Sequence, residues 1–397
     1  MRMRFIHRWL TGSAAIAAAV GALVACVSAK TEVTRPEAIV LRPINDPSEM
    51  DHLDATGFGI CGSHTIVVSA SPRDSRNQID RAWTLVSTDD GESWSAVERE
   101  RFGGWMEVAP GDLIGSTSEG FLRVCESSAD GADAQLVAEP IASFISLVRQ
   151  PEVDTDHYWM QVVGASGDDL LFISGPHLYT CSRYGAELRF VKRLGIEYGV
   201  PSVYPTAYAR GNVYINAGYL ELMESGRRRL RHSISRSEDL GQTWIRGPDL
   251  FPLTAFAVDE QYVWALDVRH GSASPKLIQR TPIGTDDWEE FVAIPKLWST
   301  RGLAIDGKRI ATAARWGWTE IGALLLDTAS RTWTFRQLPR SDQEEEYPPV
   351  DCKIDSSHRV WILKAGGPLF RLDDPETNDW EQIWPPAAAA GAAPNGR

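Results

Sequence analysis

The sequence predicts an all-β β-propeller, with seven blades favoured and six as the rival count. Three observations predict it. A short motif built on Asp, Gly and Trp occurs twice, tryptophans recur in phase every forty-odd residues, and long helical periodicity is absent from a chain with 33 Gly, 23 Pro and 15 Trp. A period in the forties carrying several short strand-like runs is the sequence signature of a propeller, in which each repeat folds as one small sheet.

The elements follow in chain order. Arg2, Arg4 and Arg8 form a positive segment, and Leu10 to Val24 is an apolar run too short to span a bilayer comfortably. It ends in Leu23-Val24-Ala25-Cys26. This resembles the bacterial lipobox, in which small residues fit the peptidase cleft and the cysteine thiol takes a diacylglyceryl group. The resemblance implies residues 1–25 as a signal peptide and Cys26 as the lipid attachment site. The alternative is an ordinary secretory signal cut near Ala29. Val27 rather than Asp after the cysteine implies sorting to the outer membrane, periplasmic side, under the enterobacterial pattern. Residues 26–54 are polar with scattered prolines and read as the lipidated tether, with room for a closing strand.

Charge and cysteine usage agree with export. The chain carries 40 Lys+Arg and 53 Asp+Glu. The signal peptide removes three arginines and no acids, leaving 37 − 53 = −16. A net charge of that sign argues against nucleic-acid partners and against charge-driven binding to anionic lipid. Cys61, Cys125, Cys181 and Cys352 remain after Cys26, without a CxxC or metal-like spacing. An even number in an oxidising compartment permits disulfides.

The repeat begins with Ser87-Thr88-Asp89-Asp90-Gly91-Glu92-Ser93-Trp94 and returns as Ser237-Glu238-Asp239-Leu240-Gly241-Gln242-Thr243-Trp244. Both read Ser-x-Asp-x-Gly-x-[Ser/Thr]-Trp. The motif resembles the Asp-box, or bacterial neuraminidase repeat, of the sialidase-like propeller superfamily. Its chemistry is structural. The Asp carboxylate accepts from the turn's own amides, Gly supplies a positive φ, the Ser/Thr hydroxyl ties the hairpin ends, and Trp opens the next strand. Ser87, Asp89, Gly91, Trp94, Ser237, Asp239, Gly241 and Trp244 are thus structural site residues. Trp288, Trp333 and Trp380 follow Trp244 at intervals of 44, 45 and 47 residues, each ending a decayed box. Trp94 to Trp244 is 150 residues, or three repeats, two of which have lost the box. The propeller is thereby bounded at about 55–384, with 385–397 as a disordered tail. Cys61 and Cys352 fall in the first strands of the first and last blades, so a bridge between them would staple the closed ring; two separate buried thiols are the alternative. Cys125 and Cys181 sit in strands expected to be too far apart to bridge.

Catalytic equipment is not legible. Sialidases carry an Arg-Ile-Pro motif, three substrate-gripping arginines, a Tyr–Glu pair and an Asp. Here Arg42-Pro43-Ile44 has those residues scrambled. Arg227 to Arg231 and Glu346-Tyr347 would splay along strands, because alternate side chains face opposite ways. Asp154, Asp156, Asp168, Asp169, Asp267 and Asp286 are acidic candidates for a glycosidase pair, with Asp286 reading as structural. Trp105, Trp159, Tyr204, Trp316 and Trp318 are candidate sugar-stacking aromatics. His64, His157, His232 and His358 lack partners at metal spacing. No metal and no cofactor is expected. The expected function is a membrane-anchored binding or assembly platform of the cell envelope, with an unidentified envelope protein or glycan as partner. Photosystem assembly factors with similar repeats serve as a precedent. Whether the chain is an enzyme stays open, with the balance toward no; the alternative function is a carbohydrate-active protein, either a sialidase-like glycosidase or a glycan binder.

Overall fold

The computed structural model describes residues 39–50, 53–62, 64–72, 82–99, 102–109, 112–117, 120–126, 136–143, 160–166, 169–174, 177–182, 188–193, 206–223, 226, 228–250, 253–267, 276–294, 299–316, 320–339, 349–364 and 367–386. The chain divides into a unit Met1–Pro36, outside the described residues, and a unit Glu37–Arg397 that holds every described element.

Among the described residues that larger unit is all-β apart from one short 3-10 turn, Pro47–Met50. Two short strands come first, β1 (Ile39–Val40) and β2 (Arg42–Ile44). The first sheet is β3 (Leu53–Cys61), β4 (Thr65–Pro72), β5 (Ala82–Ser87) and β6 (Trp94–Arg99); the second is β7 (Phe102–Ala109), β8 (Asp112–Thr117), β9 (Gly120–Glu126) and β10 (Leu136–Ser143). The third is β11 (Met160–Ser166), β12 (Asp169–Ser174), β13 (His177–Ser182) and β14 (Leu188–Arg193); the fourth is β15 (Thr206–Ala209), β16 (Asn212–Leu222), β17 (Arg228–Ser237) and β18 (Ile245–Leu250). The fifth is β19 (Leu253–Val258), β20 (Tyr262–Asp267), β21 (Lys276–Pro282) and β22 (Glu289–Ile294). The sixth is β23 (Ser299–Ile305), β24 (Arg309–Trp316), β25 (Glu320–Asp327) and β26 (Thr332–Gln337), and the seventh is β27 (Pro349–Ile354), β28 (Val360–Lys364), β29 (Leu369–Leu372) and β30 (Trp380–Trp384). Each of these seven sheets is an antiparallel meander in chain order.

The sheets stand around a ring. The first strands β3, β7, β11, β15, β19, β23 and β27 each touch the next, and β27 returns to touch β3. A sheet packed between two others buries both faces, so its middle strands lose the usual alternation of apolar and polar residues. All five residues of β28 are buried, as are Ile66 to Ala70 of β4 and Ile321 to Leu326 of β25. The outer strands are wetter, as the exposed Glu289 and Glu290 of β22 and Glu381 and Gln382 of β30 show. The core is accordingly a set of clusters between sheets. One joins Phe58, Leu85 and Trp94 of the first sheet to Trp361, Leu369 and Trp384 of the seventh. Others join the sixth and seventh, the fifth and sixth, and the first and second.

The segment expected as tether holds structure of its own. β2 adds to the outer edge of β6, pairing Arg42 with Ala96 and Ile44 with Trp94, and β1 adds to β10, pairing Ile39 with Ala138. Leu41 between them is buried against the first and second sheets. The N-terminal strands therefore join the first two sheets, and no strand is shared between the first and the seventh.

Candidate functional site

The two intact motifs form the same turn, between the third and fourth strands of their sheets. In the first, the Ser87 hydroxyl donates to Asp89 Oδ1 (2.8 Å) and accepts from the Gly91 amide (2.8 Å). Asp89 accepts from the Ser93 amide (2.9 Å) and from the Ser93 hydroxyl. The Trp94 indole donates to the Gly91 carbonyl (3.1 Å). In the second, Ser237 donates to Asp239 Oδ1 (2.8 Å) and accepts from Gly241 (2.7 Å), while Thr243 gives Asp239 its amide (2.7 Å) and hydroxyl (2.6 Å). Trp244 donates to the Gly241 carbonyl (2.9 Å). The two residues at the tip turn left-handed, with φ of 62° and 95° at Asp90 and Gly91, and 55° and 88° at Leu240 and Gly241. The Thr243 hydroxyl and amide, with Ser237, hold the Asp239 carboxyl down at about 2. At Asp89 burial pushes the carboxyl up, but the Ser93 and Ser87 donors outweigh it and the net shift is downward.

Each turn leans on the preceding sheet. A side chain on Gly91 would run into Ile383 of β30, and one on Gly241 into Leu178 of β13. The decayed boxes clasp their neighbours by other means. Asp286 takes Arg236 of β17 through Nε (3.2 and 3.3 Å) and Nη2 (3.2 Å). Arg236 is buried and also reaches Asn212 (3.0 Å) and Glu238. Trp333 donates to the carbonyl of Ala293 (3.0 Å) in the fifth sheet. The indole nitrogens of Trp288 and Trp380 are buried without a partner, unlike those of Trp94 and Trp244.

A cluster of charges lies where the first and seventh sheets meet. Asp90 accepts from His64 Nδ1 (2.9 Å) and faces Arg359 Nη2 (3.0 Å) and Arg371 Nη1 (3.4 Å). Burial opposes ionisation of Asp90, yet His64, Arg359 and Arg371 prevail and its carboxyl is lowered. Arg359 is held in turn by Asp355 (2.7 Å), whose other donors are the Trp361 indole (2.9 Å) and the amides of Ser357 and Arg359. Arg371 also meets Glu381 and Asp373, both at 2.7 Å.

Several sequence expectations change here. Cys61 and Cys352 are not joined. Cys61 packs with Val67, Trp105 and Leu113 toward the second sheet, and Cys352 with Ala311, Ala313 and Ile362 toward the sixth. Strand alternation turns each away from the junction it was expected to staple, and burial pushes the Cys352 thiol far above its ordinary range. Trp105 is no sugar platform: it is buried between the first and second sheets, with its indole donating to Ser69 Oγ (2.6 Å) and Gly59 and Gly115 leaving it room. Arg42 pairs with Glu49 (2.8 Å). Asp286 is structural. Cys26, Asp154, Asp156, Asp168, His157, Trp159, Tyr204, Trp318, Glu346, Tyr347 and 387–397 lie outside the described residues, as do the side chains of Asp169, Asp267, His232, Trp316, Cys125, Cys181 and 228–231.

A second turn series was missed in the sequence. Asp259, Asp306 and Asp355 each close the turn between first and second strands, accepting amides two to four residues ahead. The free oxygen of Asp259 takes the Trp264 indole (2.8 Å), and that of Asp306 takes His358 Nδ1 (2.9 Å). The signal was present as Val258-Asp259, Ile305-Asp306 and Ile354-Asp355, spaced by 306 − 259 = 47 and 355 − 306 = 49 residues. Among the described residues no three His, Cys, Asp or Glu gather as metal ligands would, and no helix is long and apolar enough to cross a membrane.

No family model and no curated protein matches the sequence. Solved structures do. A tricorn protease superposes with a TM-score of 0.53 at 12% identity over 90% of this chain, which spans 36% of that protein. YCF48 from Cyanidioschyzon merolae gives 0.52 at 12% identity, covering 85% of this chain and 100% of that one. The β-propeller domain of the Trilobed protease from Pyrococcus furiosus, described as having an open velcro topology, gives 0.52 at 8% identity, covering 84% and 98%. At such identities the likeness speaks for fold alone. With its ring of antiparallel meanders, the chain is a β-propeller.

Proposed function

We propose that this chain is a lipid-anchored binding or assembly platform of the bacterial envelope, carried on a propeller of seven blades, one per sheet, rather than six. On this reading residues 1–25 are a signal peptide, Cys26 carries the lipid, and the outer membrane's periplasmic side is the location. The Ser-x-Asp-x-Gly-x-[Ser/Thr]-Trp turns are Asp-boxes in a scaffold role.

One observation carries the platform reading: the two ends of the strands differ. Connections between first and second and between third and fourth strands leave from one end. They are mostly tight turns knotted by Asp89, Asp239, Asp259, Asp306 and Asp355, with 127–135 the long exception. The remaining connections leave from the opposite end and vary widely. They include 73–81, 144–159, 194–205, 268–275 and 338–348 beside connections of two residues such as 100–101 and 251–252. A stiff framework with long, variable connections gathered at one end is how rigid scaffolds present recognition surfaces.

The test is a retention experiment with the mature protein immobilised against solubilised envelope. Shortening 194–205 or 144–159 should abolish capture of a defined partner, whereas Asp239→Asn at the opposite end should not. Capture indifferent to every long connection would overturn the reading. So would turnover of a fluorogenic glycoside that one carboxylate substitution abolishes. For the anchor, Cys26→Ser should move the protein from the membrane pellet to the soluble fraction; a variant that stays in the pellet removes the lipobox reading.

A further inference from the structure

Closing a ring of sheets poses a physical problem at one place only. Every other junction joins sheets that follow one another in the chain, whereas the first and seventh sheets meet with no covalent continuity. Sharing a strand between them would close the ring with main-chain hydrogen bonds. This chain does not do so: β3 to β6 and β27 to β30 are complete by themselves, and the N-terminal strands go to β6 and β10. Among the described residues no strand pairing crosses the junction, and side chains hold it.

Those side chains have an unusual character. Their apolar part is large, with Leu53, Phe58, Leu85 and Trp94 against Trp361, Leu369, Ile383 and Trp384. The rest is a charged bolt. Asp90 sits at the tip of the first sheet's turn and projects between Arg359 and Arg371 of the seventh, with His64 on its other oxygen. Lys353 of β27 adds a cation over the Phe58 ring, 5.4 Å from its centroid. The matching position in the fourth sheet is Leu240, and that turn rests on Leu178. At this place the fourth sheet's turn offers a leucine, the fifth sheet's turn offers Asp286 to Arg236, and the first sheet's turn offers Asp90 to two arginines and a histidine. The first strands also touch most sparsely here, β3 against β27, of all neighbouring pairs around the ring. The expected cysteine staple is absent, since Cys61 and Cys352 face away.

We propose that the ring is latched rather than sealed: it opens between its first and seventh sheets, without unfolding, and the Asp90 cluster with Arg359, Arg371 and His64 is the latch. Such an opening separates two apolar faces while leaving every sheet hydrogen bond intact. It is a local event of lower free energy than global unfolding. An ion cluster suits that role because its arginines keep other carboxylates beside them on release. Arg359 keeps Asp355, and Arg371 keeps Asp373 and Glu381.

Thiol accessibility tests this in the full chain, because the protein supplies its own controls. Cys61 reports the junction of the first and second sheets, and Cys352 that of the sixth and seventh. Ala55→Cys and Ala96→Cys, near-isosteric changes in the closing cluster, report the latch at two depths. Labelling under native conditions, read by peptide mass, should be at least tenfold faster at both engineered thiols than at Cys61 and Cys352. Adding Asp90→Asn should accelerate both by a further tenfold or more and leave Cys61 and Cys352 unchanged. One common rate for all four thiols, faster labelling at only one engineered site, or acceleration of the controls by Asp90→Asn would each overturn the proposal. Thermal unfolding of the Ala→Cys variants within a few degrees of the parent, as an isosteric change implies, shows that the reporters leave the ring intact; a large drop at Ala96→Cys transfers the outer reading to Ala70→Cys, in the same cluster.

Discussion

Trp94 and Trp288 occupy the same place in their repeats but not the same chemistry. Trp94 gives its indole proton to the Gly91 carbonyl, while the buried nitrogen of Trp288 has no acceptor. Replacing Trp by Phe removes a made hydrogen bond in the first case and an unmet donor in the second. Trp94→Phe should therefore destabilise more than Trp288→Phe by about 1 kcal/mol, read from urea midpoints at constant slope; equal losses would contradict the assignment. Asp239 gives a pH prediction at the same scale. Its folded carboxyl titrates at about 2, against ~3.9 for an unfolded aspartate. A depressed folded value means the stabilisation is complete above ~4 and lost as pH falls toward about 2. The gap in melting temperature between wild type and Asp239→Asn should be widest above pH 4 and shrink steadily below it. The motif residues were readable because the turn is local: every donor to Asp89 lies within four residues of it. The arginine partners of Asp90 and Asp286 were not readable, because they come from other sheets, as far as 371 − 90 = 281 residues away.

Among elements, the third-to-fourth-strand turns were legible, whereas the first-to-second-strand turns and the strand faces were not. Spacing of tryptophans located the third-to-fourth-strand turns, and the strand-like runs Tyr262 to Leu266 and Lys276 to Arg280 before Trp288 became β20 and β21. What spacing cannot say is which neighbouring sheet a residue faces, since both faces of these strands are apolar. That is why Cys61, Cys352 and Trp105 were misplaced, each by a one-residue question of alternation. The docking of a turn on its neighbour makes this testable. At Gly241 the backbone is left-handed and a Cβ would strike Leu178. Gly241→Ala should lose at least about 1–2 kcal/mol from backbone conformation alone. Because the clash is with one side chain, Leu178→Ala should be less damaging in the Gly241→Ala background than in wild type. Additive losses in the double-mutant cycle would show that the turn does not dock there.

For the whole molecule, repeat counting found the ring but not how it ends. The boxless second and third sheets gave no motif to count, and β1 and β2 are too short to carry a pattern. Yet those two strands decide what the N-terminal segment does. They border the outer edges of the first two sheets, bury Leu41 and set Ile44 against the closing cluster, but neither pairs with a strand of the seventh sheet. The seventh sheet is the opposite case. It covers Leu85 and Trp94 on one side and Ala313 and Leu325 on the other, so its loss would bare two core faces at once. A chain beginning at residue 45 should therefore still fold and unfold in one cooperative transition. Its stability should be lower by a few kcal/mol, chiefly from the lost burial of Leu41 and the lost edge pairing. A chain ending at residue 348 should fail to give a cooperative transition at all, because a ring lacking one sheet leaves its neighbours without the partner faces that define their cores. Calorimetry separates the two outcomes. If the chain starting at residue 45 also fails to fold, the N-terminal strands close the ring in a way that their pairing with β6 and β10 does not predict. If the chain ending at residue 348 folds cooperatively, the sixth sheet can close against the first, and the seventh is an accessory rather than a structural member of the ring.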